Sequence, residues 1–320
     1  MSFYADMTNL FQTLEGTAAR GAEGLTPEAR ESIAAALQAR QAPDGGFAGL
    51  DGKSDPYYSL FAWLGLRALG AAYDHNRLCA YMAAHRRDAN TVDAQCASFV
   101  RACEGHPPHV PWLTRAEPAT RNSHHEGTKK RRVINKLRAL RAFVVQQLVF
   151  YHSRRFIRHL TIGGSLLRGD TLGVYTTFML ALAVGNMPRW LARLLWWRQR
   201  RLFAAGSVEH APTPHLAAGL ILASLAGECA SDILSVLASR HCANGGFTAA
   251  PKALPDLLAT AVARFSIGNQ QSSIGEEIKA DLAFVEACWL EDGLFGASPN
   301  VERGDAEHTF YGLLALGTCR

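Results

Sequence analysis

Two stretches in the last third of the 320-residue chain contain side chains suited to chemistry. In GGFTAAPKALPDLLAT a loop ends at Asp256, where an apolar run begins, and in DAEHTFYGLLALG His308 follows Asp305 at the start of another. A carboxylate and an imidazole can share a metal ion or act as an acid–base pair. Each also has a structural interpretation, because aspartates cap helices and a buried histidine can bond a backbone carbonyl. For Asp305 the helix cap is the favoured interpretation.

An internal repeat places these residues in the chain. Three segments share a Gly-rich turn with one aromatic residue, followed eight to ten residues later by an Asp beside an apolar run. Glycines suit tight connections between helices, whereas Asp and Pro suit the first turn of a helix. Each copy therefore predicts a turn followed by a helix. The turns occupy residues 45–47, 245–247 and 293–295, and the corresponding aspartates are Asp55, Asp256 and Asp305.

Two kinds of helix alternate in these repeats. Segments 231–242 and 276–290 have one charged and one apolar face, which is typical of half-exposed helices. The helices after each turn are apolar all round, and strand patterns are almost absent. This alternation predicts an all-α fold, an α/α toroid in which outer helices surround an inner ring of parallel helices. A single toroid domain is expected to span residues 1–320.

The repeat resembles the prenyltransferase and squalene-cyclase superfamily, and over residues 41–70 and 211–319 it is most similar to the β-subunits of protein prenyltransferases. In that family an Asp, a Cys two residues later and a His in an Asp-x-x-His-Thr motif bind a catalytic zinc ion. The resemblance implies catalytic and zinc-binding roles for Asp256 and His308. Leu258 stands at the position of the Cys, so the soft thiolate ligand is missing.

The same resemblance implies an isoprenoid diphosphate as the substrate. The family places basic residues in the loop before the zinc-binding Asp, and here that loop offers only Lys252. Cyclase chemistry is disfavoured, because the sequence has no Asp-rich run of the kind that protonates an alkene in the triterpene cyclases. No α-subunit partner can be inferred from the sequence.

Aromatic residues are concentrated where the inner helices begin. If their rings converge, they form an apolar cavity suited to an isoprenoid or another lipid chain, and their faces could stabilise a developing carbocation. The alternative is that they pack the core of the ring. The candidate substrate-binding residues are Tyr57, Tyr58, Phe61, Trp63, Tyr175, Phe178, Phe310 and Tyr311, together with Lys252.

The middle of the chain is strongly basic, although the formal net charge is only +5. Residues 128–201 hold sixteen Lys or Arg and one acid, within a divergent segment at 113–210. Segment 187–203 combines five Arg with three Trp, the composition of a helix at a membrane interface. Its arginines could alternatively bind a diphosphate, whereas the Trp and Leu content disfavours nucleic acid. The residues expected to contact an anionic membrane surface are Trp190, Arg193, Trp196, Trp197 and Arg198.

Together these features predict a prenyltransferase-like enzyme that acts on an isoprenoid diphosphate or a similar lipid in a central aromatic cavity, with zinc as the cofactor. The alternative is a non-catalytic protein that keeps the fold and binds lipid or docks on membranes, because a fold does not fix a function. Seven scattered cysteines, no signal peptide and no apolar run long enough to cross a bilayer predict a cytoplasmic protein, peripheral on the inner face of a membrane.

Overall fold

The structure is a computed structural model that describes residues 10–85, 92–93, 96–97, 99–100, 189–203, 206–268 and 275–320. Over these residues it contains ten α-helices, two 3₁₀ helices and four strands of two residues each. The all-α prediction is therefore confirmed for this part of the chain. Most of the predicted basic segment, residues 113–188, lies outside the described residues, and so do Tyr175 and Phe178.

The helices fall into two groups along the chain. The first group comprises α1 (Leu10–Glu23), α2 (Pro27–Gln38), α3 (Pro56–Leu69) and α4 (His75–His85). The second comprises α5 (Arg189–Gln199), α6 (Thr213–Ala226), α7 (Ser231–Ser239), α8 (Leu257–Ile267), α9 (Gly275–Ala287) and α10 (Ala306–Thr318). The 3₁₀ helices are Arg200–Phe203 and Val208–His210. None of the helices in the described ranges is long and apolar enough to span a bilayer.

Two antiparallel hairpins lead into α3 and α8. In the first, β1 (Phe47–Ala48) pairs with β2 (Ser54–Asp55), and in the second, β3 (Phe247–Thr248) pairs with β4 (Pro255–Asp256). Each hairpin begins at a Gly-rich turn and ends at the aspartate that starts the next helix. The short strands are thus connections within the repeat and do not form a sheet layer.

The three predicted turns share one hydrogen-bond pattern. In each, the backbone N–H of the phenylalanine that ends the turn donates to a hydroxyl one turn into the following helix. Both partners are buried, so the bond fixes the turn on the helix start. The sequence repeat is therefore also a repeat in structure. The pairs and their N···O distances are Phe47 and Ser59 (2.7 Å), Phe247 and Thr260 (2.8 Å), and Phe295 and Thr309 (3.1 Å).

Four buried helices lie side by side in the order α3, α10, α8 and α6. Helix α10 packs between α3 and α8, and α8 also packs against α6. Nine of the 14 residues of α6 are buried, whereas α7 buries only Ile233 and Leu237. The helices that follow the three turns are likewise largely buried, so the predicted alternation of buried with half-exposed helices is observed here.

The last Gly-rich turn packs against α2, the helix that precedes the first Gly-rich turn. Each of the three turns contains a glycine at positive φ, between 80° and 94°, a region that favours glycine. A Cβ at Gly45 would approach α4, and one at Gly245 would approach α9, and each of these helices comes after the buried helix that follows the turn. A Cβ at Gly293 would approach α2. The last repeat therefore contacts the first in the way that a repeat contacts its successor.

Candidate functional site

The starts of α3, α8 and α10 come together, and each is capped by the aspartate that the repeat places there. Oδ1 of Asp55, Asp256 and Asp305 accepts a backbone N–H of the first helical turn at 2.7, 2.8 and 2.8 Å. The hydroxyl of Tyr57 in α3 donates to Glu307 in α10. This bond joins a helix of the first repeat to a helix of the last.

Asp305, Glu307 and His308 form a compact polar cluster at the start of α10. Each residue offers one potential metal-ligand atom, a carboxylate oxygen or an imidazole nitrogen, and these three atoms lie within 4.8 Å of one another. His308 Nδ1 is 2.8 Å from Oδ2 of Asp305, so the carboxylate that caps the helix also orients the imidazole. Asp305 is buried and the other two are half-buried. Because water reaches these groups only in part, their charges interact more strongly than they would on an open surface.

Burial and neighbouring charges both perturb the titration of this polar cluster. Burial raises the pKa of Glu307, and the charges of Asp305 and Asp256 add to the rise, while the Tyr57 hydroxyl and His308 act against it. Burial alone would lower the pKa of His308. The hydrogen bond to Asp305 and the carboxylates nearby outweigh burial and raise that pKa above the ordinary 6.5. The site therefore holds protons that an exposed Glu or His would release.

The raised pKa of His308 predicts how the stability of the metal-free protein depends on pH. Because the folded state binds the imidazole proton more tightly than the unfolded chain, His308 stabilises the protein below pH 6.5. This contribution is lost as pH rises through the folded-state pKa. The difference in unfolding free energy between wild type and His308→Gln should therefore shrink with rising pH, in urea denaturation with a chelator present. A difference that grows with pH would contradict the assignment, and His210→Gln at an exposed position is the control.

Of the predicted pair, only His308 belongs to the polar cluster, whereas Asp256 acts on it through its charge. Asp256 caps α8, and its charge helps raise the pKa of both Glu307 and His308. Glu307 is the residue that sequence reasoning missed. Its only signal was its position just before His308 in the first turn of a helix. Lys252 is exposed in the loop between β3 and β4, at a φ of 62°.

Five of the predicted aromatic residues form a connected cluster between α3 and α10. The ring of Tyr57 contacts those of Tyr58 and Phe61, with centroids 5.8 and 4.9 Å apart. The ring of Phe61 contacts those of Phe310 and Tyr311 at 6.0 and 5.3 Å. Tyr57 thus belongs to both clusters, since its ring packs on aromatic residues and its hydroxyl bonds a carboxylate of the polar cluster.

Trp63 has a packing role. It is fully buried, its ring stacks on Phe11 of α1 with centroids 6.1 Å apart, and its Nε1 donates to the hydroxyl of Tyr73 at 3.1 Å. For this residue the core-packing interpretation describes the observed contacts.

The predicted membrane-surface residues divide between two faces of α5. Trp190 and Trp197 are 66% and 52% exposed, and Arg193 and Arg198 lie on the surface. Trp196 is only half-exposed and stacks on Phe203, with centroids 6.0 Å apart. Nε of Arg193 donates to the carbonyl of Ala226 at 3.1 Å, near the end of α6. Such a cation at a helix C-terminus stabilises the helix.

Comparison of the chain with protein-family models, with curated proteins and with solved structures gives no match. Its function is therefore inferred from the chemistry of the polar and aromatic clusters.

Proposed function

We propose that this protein is a prenyltransferase-like enzyme that acts on an isoprenoid diphosphate or a similar lipid substrate. The observation that carries the proposal is the junction of the two clusters at Tyr57, whose ring packs among aromatic residues and whose hydroxyl donates to Glu307. An isoprenoid diphosphate has two corresponding parts, an apolar chain and a charged head. The junction offers each part a suitable surface at the point where the bond between them would break.

We infer that the helices close into an α/α toroid. Support comes from the contact of the Gly293 turn with α2, which repeats the contacts of the earlier turns with α4 and α9. It also comes from α10, which packs between α8 of its own half and α3 of the first repeat. In such a ring the starts of parallel inner helices share one end, as those of α3, α8 and α10 do around the polar cluster.

The aromatic cluster supports the choice of an isoprenoid. Its rings contact one another between α3 and α10. Phe61 and Phe310 are nearly fully buried, while Tyr57 and Tyr311 remain partly accessible. The faces of aromatic rings attract cations by about 0.5–2 kcal/mol each. They can therefore stabilise the positive charge that develops on the isoprenoid chain as the diphosphate leaves.

The polar cluster fits a divalent cation. Two carboxylates and an imidazole are donors that suit zinc, and three protein ligands with an open position are typical of catalytic zinc. Glu307 and His308 would hold the ion, and Asp305 would join them or orient the imidazole. When bound, zinc would polarise a ligand oxygen or sulfur and supply positive charge for the diphosphate. Asp256 would add negative charge that favours the cation.

Without a cation, the same residues are suited to acid–base work. Prenyl transfer breaks the bond between C1 of the isoprenoid and a diphosphate oxygen, forms a bond from C1 to a nucleophile and releases the proton of that nucleophile. Glu307 has a raised pKa and could accept this proton in its carboxylate form. The imidazolium of His308 could stabilise the leaving diphosphate.

Zinc titration of chelator-treated protein tests the polar cluster. We expect stoichiometric binding by the wild type and at least tenfold weaker binding by Glu307→Gln and His308→Gln, because even groups behind the ligands contribute about 10–100-fold to metal affinity. Calorimetry and elemental analysis measure both quantities. Asp51→Asn is the matched control, since it removes an exposed carboxylate in the neighbouring hairpin whose charge acts on Tyr58. Unchanged zinc affinity in both site variants would contradict the metal site.

Release of diphosphate from an isoprenoid diphosphate, with the same variants, tests the reaction.

A second function is favoured by Leu258, which leaves the site without the thiolate of the family that the repeat resembles. In that case the protein would bind the isoprenoid chain without turning it over. Binding of a fluorescent isoprenoid that Phe61→Ala weakens, with no diphosphate release by the wild type, would support this alternative over the enzyme.

A further inference from the structure

One face of α5 exposes a stripe of large apolar side chains. Trp190, Leu194 and Trp197 are 66%, 50% and 52% exposed, and their spacing of four and three residues puts them on one side of the helix. The opposite side packs against α6 and is buried at Ala192 and Leu195. We call the three exposed residues the Trp face. Isolated apolar side chains are common on surfaces, but three on one helix face mark an interaction site.

The surroundings of the Trp face are entirely basic along the helix. Segment 189–203 contains five arginines and no acid. Arg193 donates to the end of α6, whereas Arg200 and Arg201 lie exposed on the 3₁₀ helix that continues α5. The partner of this surface must therefore carry negative charge and accept aromatic and aliphatic side chains.

We propose that the Trp face docks on an anionic phospholipid membrane, with α5 lying in the plane of the interface. Trp rings prefer the headgroup level of a bilayer, and Leu enters the acyl boundary. Arg200 and Arg201 would pair with lipid phosphates, each increasing the affinity about fivefold. The helix lies on the membrane and does not cross it, because its 11 residues are too few to span the hydrocarbon core.

Charge disfavours one of the other partners that such a face could bind, and the apolar side chains disfavour another. A second copy of the chain would bring five more arginines against the first five, and like charges across an interface cost affinity. Nucleic acid would satisfy the arginines but would leave Leu194 and the hydrophobic part of the indoles without an apolar partner. The proposal is independent of the polar cluster, so the failure of one does not imply the failure of the other.

Vesicle flotation of the full chain tests the docking surface. Vesicles of phosphatidylcholine with phosphatidylserine should retain the wild type, and vesicles of phosphatidylcholine alone should not. Arg200→Gln with Arg201→Gln should weaken binding about 30-fold. Replacing all three residues of the Trp face by Gln should abolish binding.

Matched controls separate docking from general effects of polarity and charge. Leu50→Gln with Leu254→Gln replaces two apolar side chains that are 50% and 79% exposed elsewhere, and Lys279→Gln with Arg303→Gln removes two exposed cations. Both control proteins should bind like the wild type, with thermal unfolding confirming that every variant folds.

Several outcomes would overturn the docking proposal. One is that the wild type binds neither kind of vesicle, or binds both equally. Another is that the variant of the Trp face binds vesicles like the wild type. Dimers in light scattering that only this variant disperses would assign the face to a second copy of the chain.

Discussion

Asp281→Ala is expected to lower the free energy of unfolding by about 3–5 kcal/mol, because it removes the buried carboxylate that pairs with a buried guanidinium. Asp281 has no exposed surface, and it pairs with Nε of Arg264, which is only 7% exposed. Its other oxygen lies 2.9 Å from Nε2 of His241 and accepts the N–H of Gly246 at 2.6 Å. One carboxylate of α9 thus binds a Gly-rich turn, a histidine just after α7 and an arginine of the buried helix α8.

Urea denaturation of Asp281→Ala beside Glu277→Gln measures this effect. Glu277 also approaches Arg264, at 3.7 Å, but its side chain is 46% exposed, so its loss should cost no more than about 1 kcal/mol. Equal losses in the two variants would mean that the buried pair does not hold α8 and α9 together. A loss below about 1 kcal/mol for Asp281→Ala would contradict the assignment directly.

Local features of the fold could be predicted from the sequence because they depend on near neighbours in the chain. The Gly-rich turns, the aspartate caps and the alternation of half-exposed with buried helices all follow from residue type and spacing. The predicted ends of helices were less accurate. Helices α7 and α9 each end three residues before the predicted last residues, 242 and 290. Those last residues instead pair with the turn, as His241 does with Phe247 and Trp289 does with Phe295.

Contacts between the first and last repeats could not be predicted in this way. Tyr57 and Glu307 are 250 positions apart, and no periodicity indicates that a hydroxyl of α3 meets a carboxylate of α10. Sequence reasoning therefore proposed Asp256 and His308 and missed Glu307. Similarly, the composition of α5 predicted an interfacial helix, while only the packing on α6 shows that Trp197 faces outward and its neighbour Trp196 stacks on Phe203.

Gly21→Ala is expected to destabilise the protein by about 3 kcal/mol or more, the upper end for an overpacked core. A Cβ at Gly21 would lie 1.9 Å from the carbonyl oxygen of Leu313, and one at Gly317 would lie 1.8 Å from that of Thr17. The backbones of α1 and α10 therefore touch at two glycines. Because backbone atoms cannot turn aside as a side chain can, the helices themselves must separate to admit a methyl group.

Gly16→Ala is the matched control in the same helix. A Cβ at Gly16 would meet no atom within 4 Å. Because Ala favours a helix more than Gly does, this substitution should raise the free energy of unfolding by about 1 kcal/mol. Opposite signs for the two substitutions in α1, measured by thermal or urea unfolding, would establish the close crossing. Since α10 carries Asp305, Glu307 and His308, Gly21→Ala should also weaken zinc binding, whereas Gly16→Ala should not. Stabilisation by both substitutions would mean that α1 does not fix the helix on which the polar cluster is built.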